Sequence, residues 1–252
     1  MTRFDDIDSL VSDMAAATRE GGTLPKMPTG LTFDEAYEIQ MALVAAVAGN
    51  AVAGRKAGMT AAAARKQFGI DRPLLGTLFA AGRMAPGVSF PSAPGVMLEC
   101  EIGVVLGKGG APKTAGPVIE VPRMAFADSE DMTGVNFVAC GISADRYIVG
   151  TQIPLFESYD NINVTLTRNG ETLSSAPAIE ALGGPVAAVQ WMLRESRSRG
   201  FPVAENMLFI TGACGGIHPA LPGSYLADYG KLGSIEFTVE EVARTSLQAG
   251  EN

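Results

Sequence analysis

Leu98-Glu99-Cys100-Glu101-Ile102-Gly103-Val104-Val105-Leu106 is the stretch on which the fold turns. Apolar residues alternate through it and β-branched residues follow, which reads as a strand. Side chains two apart in a strand share a face. Glu99 and Glu101 therefore stand together on one face, and Leu98, Cys100, Ile102 and Val104 make an apolar face that reads as core. Adjacent carboxylates repel, and burial raises their pKa unless something positive lies between them. Oxygen ligands on a rigid strand suit a hard divalent ion, Mg²⁺ or Mn²⁺. The competing reading is an edge strand with two solvated glutamates.

Composition narrows the class. The 252 residues fit one large domain, and a hydrophobic share of 47% supplies a sizeable core. Thirty glycines and fifteen prolines imply many turns and a β-rich or mixed architecture rather than a bundle. The formal net charge is -8 with no Lys/Arg cluster, which speaks against a nucleic-acid partner. No apolar run is long enough to span a membrane. The acidic start, MTRFDDIDSL, lacks an apolar signal core, so the cytoplasm is expected. Cys100, Cys140 and Cys214 have no zinc-like spacing and read as free thiols.

Working outward, Ile7, Leu10, Val11 and Met14 recur at helical spacing, with Gly21 beyond the end. Thr32 and Glu35 form a capping box that starts a second helix, whose buried face is Ala36, Ile39, Leu43 and Val47. Val52 to Ala57 reads as extended and carries Lys56 among small residues, placed either at the surface or facing a pocket where it would bind a carboxylate. Thr60 to Phe68 reads as helix, Leu78-Phe79 as strand, and Gly107 to Pro117 as a Gly/Pro-rich loop. Met124 to Asp131 reads as a short apolar strand running into an acidic turn, and Ser143 to Arg146 as a turn. Asn169-Gly170 is a hairpin signal. Pro185 opens a helix closed by Gly200. Met207 to Thr211 and Ser234 to Val239 are strands, and His218, the single histidine, falls in a loop.

In their order and spacing these segments resemble the 2-keto-4-pentenoate hydratase, 2-oxohepta-3-enedioate hydratase and 4-oxalocrotonate decarboxylase group of the fumarylacetoacetate hydrolase superfamily. The resemblance runs through Leu31 to Gln40, Gly54 to Thr60, Pro73 to Phe79 and Glu99 to Leu106. It resumes at Asp128-Ser129, Ala144-Asp145, Asn169-Gly170-Glu171 and Gly183 to Trp191, and ends at Thr211-Gly212, Pro222-Gly223 and Leu232-Gly233-Ser234. It implies an α+β fold, a distorted β-barrel-like roll with peripheral helices. One catalytic domain would span 1–252, with a helical part over 1–50 packed on the β-rich body, in a homo-oligomer. It implies a lyase on a small 2-hydroxydienoate or 2-oxo acid in aromatic-compound catabolism, with a divalent ion chelated by the substrate and stabilising its enolate. Glu99 and Glu101 would be metal ligands, and Lys56 would bind or polarise the substrate.

The chain departs from the family pattern at one matched run. The family's E-I-V-D-S-R is set against Ala125-Phe126-Ala127-Asp128-Ser129-Glu130, so the third ligand position falls on Ala125. The family's A-D-N becomes Ala144-Asp145-Arg146. Three arrangements follow: Asp128 or Glu130 serves as ligand, the ion is held weakly by two carboxylates, or Arg146 supplies the positive charge itself. Asp145 and Arg146 join Lys56 as catalytic candidates. Hydration of a 2-hydroxy-2,4-dienoate leads. Decarboxylation or tautomerisation on the same fold with weak or no metal dependence is one alternative. A non-catalytic partner subunit or ligand-binding homologue is the other.

Overall fold

The structure is a computed structural model that describes residues 3–48 and 51–242. The end of the expected helical part at residue 50 lies outside them. In chain order the elements are α1 (Arg3–Glu20), α2 (Phe33–Ala48), β1 (Val52–Gly58), α3 (Ala62–Gln67), β2 (Leu74–Phe79), β3 (Arg83–Met84), β4 (Ser89–Pro91), β5 (Met97–Leu106), β6 (Pro112–Val121) and α4 (Gly134–Ala139). They continue with β7 (Arg146–Val149), β8 (Ile153–Pro154), β9 (Asn163–Arg168), β10 (Glu171–Pro177), α5 (Pro185–Ser198), β11 (Leu208–Ile210), β12 (Ile217–Pro219), β13 (Gly223–Asp228) and β14 (Ser234–Glu240).

One sheet runs β2-β1-β11-β5-β6-β7-β3, with β12 paired to β5 and β8 to β6; the second runs β10-β9-β13-β14-β4. The stretch that opened the reading is β5, at the centre of the larger sheet, which rules out the edge-strand reading. Its apolar face, Leu98, Cys100, Ile102 and Val104, joins Tyr225, Ala227, Ile235 and Phe237 of the second sheet in one core. The other face of the large sheet is the inside of its curl. There Leu78, Val118, Tyr147, Val149, Leu208 and Ile210 form a separate apolar cluster. The expected α+β roll with helices outside it is the fold observed.

Local chemistry explains most elements. The capping box holds: Thr32 N–H donates to Glu35 Oε2 at 2.9 Å and Glu35 N–H to Thr32 Oγ1 at 3.2 Å. From the buried face of α2, Gln40 Nε2 donates to the carbonyls of Leu75 (3.1 Å) and Val138 (2.8 Å), tying the helix to β2 and α4. Tyr37 Oη accepts from Leu75 N–H at 3.0 Å. The Asn169-Gly170 hairpin joins β9 to β10 with both residues at positive φ, 51° and 85°, as a primed turn requires. Pro185 occupies the first turn of α5.

Three expectations fail. The predicted Gly107–Pro117 loop is a short turn, and β6 begins at Pro112, because the pairing of Gly103 with Gly116 and Ile102 with Pro117 overrides the local Gly/Pro signal. Met124 to Asp131 is no strand: it holds one isolated bridge, Leu24 to Phe126, and a 3-10 turn at Ser129–Asp131. His218 lies in β12 rather than a loop, with Nε2 within 3.1 Å of Ser174 Oγ and of the Gly215 carbonyl.

Gly76 in β2 sits opposite Lys56 in β1. A Cβ there would stand 2.7 Å from Lys56 Cγ and 2.8 Å from the Gly141 carbonyl oxygen. Gly76→Ala should therefore cost about 1–3 kcal/mol as an overpacked substitution, a fall of roughly 2–12 °C in Tm at this chain length. Calorimetry checks this, and an unchanged Tm would show that the Lys56 stem has room to move aside.

Candidate active site

The pairing register builds the site. Glu99 on β5 faces Glu120 on β6 as a direct cross-strand partner, so the two side chains share the inner face with Glu101. One carboxylate oxygen from each of Glu99, Glu101 and Glu120 lies within 4.8 Å of the other two. Lys56 reaches them from β1, which is separated from β5 by β11. Its ammonium is buried, ion-paired with Glu120, and donates to the Ile142 carbonyl at 2.8 Å. Gly212 N–H donates to Glu101 Oε2 at 2.7 Å. Only glycine fits at that position: φ is +102°, and a Cβ would lie 2.4 Å from Thr60 Cγ2.

The electrostatics are unbalanced. Burial alone would lower the Lys56 ammonium, but Glu120 and then Glu99 outweigh it and hold the group above its usual value. Burial, reinforced by Glu120 and opposed by Lys56, pushes Glu99 up to about 8. Burial and its two carboxylate neighbours push Glu101 well above the usual range. Three carboxylates facing one ammonium leave two negative charges uncompensated when all are ionised. Glu101 Oε1 and Glu120 Oε2 are buried and find no hydrogen-bond partner among the described residues. Opposite ligands on an octahedral Mg²⁺ stand about 4.2 Å apart, twice a ligand distance of about 2.1 Å. The spacing, the oxygen-only donors and the orphaned oxygens all fit a hard divalent ion.

A cavity of about 380 Å³ opens over Lys56 and Glu99. Its walls come from the β1–α3 segment (Met59, Thr60), α3 and its end (Ala64, Phe68), the stretch after β6 (Pro122, Met124, Met132), α4 (Phe137), Ile142, and the approach to β12 (Ala213, Ile217). Lys56 is thus a pocket residue and not a surface lysine.

The structure brings Glu99, Glu101 and Lys56 together and leaves the other candidates elsewhere. Asp128 caps the 3-10 turn and pairs with the exposed Lys26 at 3.0 Å, its own side chain 43% exposed. Glu130 is exposed on the same turn. Ala125 lies on a loop where its carbonyl accepts from Leu24 N–H. Arg146 pairs with Val121, one residue past Glu120, so strand alternation turns it to the opposite face. There its guanidinium lies 4.9 Å from the Phe90 ring, against the second sheet, and its Nε is 3.3 Å from Asp145 Oδ2. Asp145 borders a separate small cleft with Thr18 and Arg123. The third carboxylate is Glu120, which motif matching passed over by one loop. Its signal in the sequence was a lone acid in Pro117-Val118-Ile119-Glu120-Val121, since acidic residues are rarely buried without a partner.

No family model matches the chain. It is 30% identical over 209 residues to 2-keto-4-pentenoate hydratase of Burkholderia vietnamiensis (strain G4 / LMG 22486), a match covering 77% of this chain and 80% of that protein. It is 25% identical to 4-oxalocrotonate decarboxylase of Pseudomonas sp. (strain CF600), over 87% of this chain and 90% of that protein. Among solved structures it superposes on 4-oxalocrotonate decarboxylase from Pseudomonas putida G7, complexed with magnesium and adipate, with TM-score 0.83, 22% identity and coverage of 96% and 99% of the two chains. Fumarylpyruvate hydrolase from Pseudomonas aeruginosa, with Mn²⁺ and pyruvate, superposes with TM-score 0.59 and 18% identity over 75% of this chain and 89% of that one. The chain has the fold of these solved decarboxylase and hydrolase structures. It belongs to the 2-keto-4-pentenoate hydratase family, whose named members here are hydratases and decarboxylases, both lyases.

The raised Glu99 has a measurable consequence. Its pKa moves from 4.5 to about 8 on folding without metal, so between those values the folded chain binds a proton that the unfolded chain has released. This contribution makes the metal-free protein less stable as pH rises through that window. A divalent ion displaces the proton, so the gain in Tm on adding Mg²⁺ should grow from about pH 5 to about pH 8. Glu99→Gln should flatten that growth. An equal gain across the range in the unaltered protein would show that Glu99 holds no such proton.

Proposed function

We propose that the chain is a divalent-metal-dependent hydratase of a 2-hydroxy-2,4-dienoate, and that its ion is Mg²⁺ or Mn²⁺. The observation that carries the reading is the convergence of Glu99, Glu101 and Glu120 beside Lys56, with Lys56 and Glu99 lining the cavity. The relatives with the higher identities, 28–30%, are hydratases, which favours hydration over decarboxylation. A bound ion would act as a Lewis acid for the substrate's carboxylate and 2-oxygen and would stabilise enolate charge. Hydration moves the 2-hydroxyl proton to C5. Water then adds across the remaining C3=C4 bond, its hydroxyl to C4 and its proton to C3. Lys56 stays protonated, held so by Glu120 and fixed by the Ile142 carbonyl, and presents a positive donor to the substrate oxygen end. The apolar walls limit water around the diene.

The second reading is decarboxylation of a 2-oxo diacid, supported by the decarboxylase relatives at 25–27% identity. In either case we take residues 1–252 as one catalytic domain, with α1 and α2 docked on the body through contacts such as Gln40 with Leu75 and Val138. A homo-oligomer in the cytoplasm is part of the same proposal, and the three buried free cysteines suit a reducing compartment. Among the described residues no helix is long and apolar enough to cross a membrane.

Turnover of 2-hydroxypenta-2,4-dienoate, followed by loss of diene absorbance with and without Mg²⁺, tests the function. Lys56→Ala should lower kcat by at least ~100-fold, the scale of a positioned charge-stabilising donor. Exhaustive chelation should abolish activity. Arg146→Ala should keep turnover within about threefold, since the guanidinium's contacts, with the Phe90 ring and Asp145, lie on the far face of the sheet. Activity that survives chelation but is lost in Arg146→Ala would reverse this assignment and make the arginine the source of positive charge.

A further inference from the structure

The far end of the substrate is read by the upper walls of the cavity; this step rests on the hydratase reading above. On that reading a five-carbon dienoate would sit with its carboxylate end beside Lys56 and Glu99, which line the cavity. The volume of about 380 Å³ lies within the range of about 300–1,000 Å³ found for pockets that enclose drug-sized ligands. The cavity lining includes Met59, Phe68, Met124, Met132, Phe137 and Ile142, with Thr60 and Gln67 as its uncharged polar members. Phe68 and Phe137 meet edge to face with centroids 5.2 Å apart, a firm aromatic wall. The three methionines in the lining are flexible and polarizable and adapt to varied shapes.

The charges in these walls select in the same direction. Among the described residues, Lys56 is the one cation lining the cavity, and Glu120 already pairs with it. Arg65 stands behind the wall, where its Nη1 donates to the carbonyls of Met59 (3.1 Å) and Thr60 (2.6 Å). The exposed Glu180 also borders the cavity, its carboxylate held by Gly215 N–H at 2.6 Å. A second carboxylate on the substrate would lose its water among thioethers and rings without a counter-ion, and would meet Glu180 as a like charge. An apolar substituent would bury its surface there at no such cost.

We propose that this site selects 2-hydroxy-2,4-dienoates whose far end carries an uncharged alkyl or aryl group, over the unsubstituted five-carbon acid and over dicarboxylates. The test uses the full-length, Mg²⁺-loaded protein in two arms. In the first, kcat/KM is measured for the parent dienoate, its alkyl- and phenyl-substituted forms, and a 2-hydroxydienedioate. The substituted forms should exceed the parent by about 10-fold or more, and the diacid should fall about 100-fold below them. Met132→Arg, or Met124→Lys where the first variant fails to fold by circular dichroism, should raise the diacid-to-phenyl ratio by at least about 10-fold. A diacid that matches the apolar-tailed forms, or tails that bring no gain, would overturn the proposal. So would an Arg65→Gln variant that loses the diacid alone, because Arg65 would then be a carboxylate anchor. The second arm measures Mg²⁺-dependent binding of saturated 2-oxo acids with the same tails, and it needs no turnover. If no dienoate is hydrated, the hydratase reading fails. Tighter binding of apolar-tailed than of dicarboxylic 2-oxo acids would then still support the pocket's selectivity, and the reverse order would refute it.

Discussion

Two buried carboxylates, a half-buried third and a buried ammonium on the same face of a sheet are the constraint that the rest of the structure satisfies. Removing an ion from water costs several kcal/mol even after the protein relaxes. Lys56 offsets one of the three negative charges, and the carbonyl of Ile142 satisfies part of its own donor capacity. The backbone N–H of Gly212 supports one oxygen of Glu101. When all three are ionised, two charges remain uncompensated, and Glu101 Oε1 and Glu120 Oε2 have no hydrogen-bond partner among the described residues. Such a cluster stays in place only because its strands cannot leave. β5 is hydrogen-bonded on both edges at the middle of the sheet, and its other face, with Leu98, Ile102 and Val104, is fully buried between the two sheets. The apolar packing on one side of the strand holds together a site that is costly on the other.

The backbone around the lysine is shaped for the same purpose. α4 ends in a Schellman arrangement: Ile142 N–H donates to the Phe137 carbonyl and Gly141 N–H to the Val138 carbonyl. Gly141 takes the left-handed conformation easily at φ 70°, but Ile142 follows it at φ 59°. A β-branched residue there is strained, at a cost on the order of 1–3 kcal/mol. In return its carbonyl meets the Lys56 ammonium and its side chain becomes a cavity wall. The end of one short helix thereby fixes the protonated donor and shapes the space above it. Gly76, bare beneath the lysine stem, completes the path along which Lys56 reaches the carboxylates.

How much of this was legible in the sequence depended on how local each feature is. The Glu99/Glu101 pair followed from a period of two within one strand, and the capping box, the hairpin and the Pro185 helix from neighbouring residues. Lys56 was legible as a pocket candidate because small residues flank it in an extended segment, and the family motif narrowed that choice. Glu120 was not, because its place beside Glu99 is a property of register between two strands. A turn that looked like a long loop hid where the second strand begins. Matching the third ligand to Ala125 assumed a fixed motif in a segment whose strand ends earlier, at Val121. Arg146 misled for the opposite reason: it is close in sequence to a matched motif, while one step of alternation sends its side chain through to the other layer. Features set by pairing and by sheet face need the structure, whereas features set by i to i+3 chemistry do not.

The polarity of the cavity joins these observations into one device. Without an ion, burial favours the protonated forms of Glu99 and Glu101, and Glu120 is paired with Lys56, so the floor offers an incoming acid no free positive charge while the net charge of -8 repels it at long range. A divalent cation held by the three carboxylates, as proposed, would displace those protons and place a Lewis acid on the floor, beneath mostly apolar walls. On the proposed reading the substrate's carboxylate end would go to the floor and its hydrocarbon end to the walls, so one ion would supply both affinity and orientation. Because two ligands that couple strengthen each other's binding by the same factor, the acidic cluster that weakens the metal-free fold would also make acid binding depend on the ion.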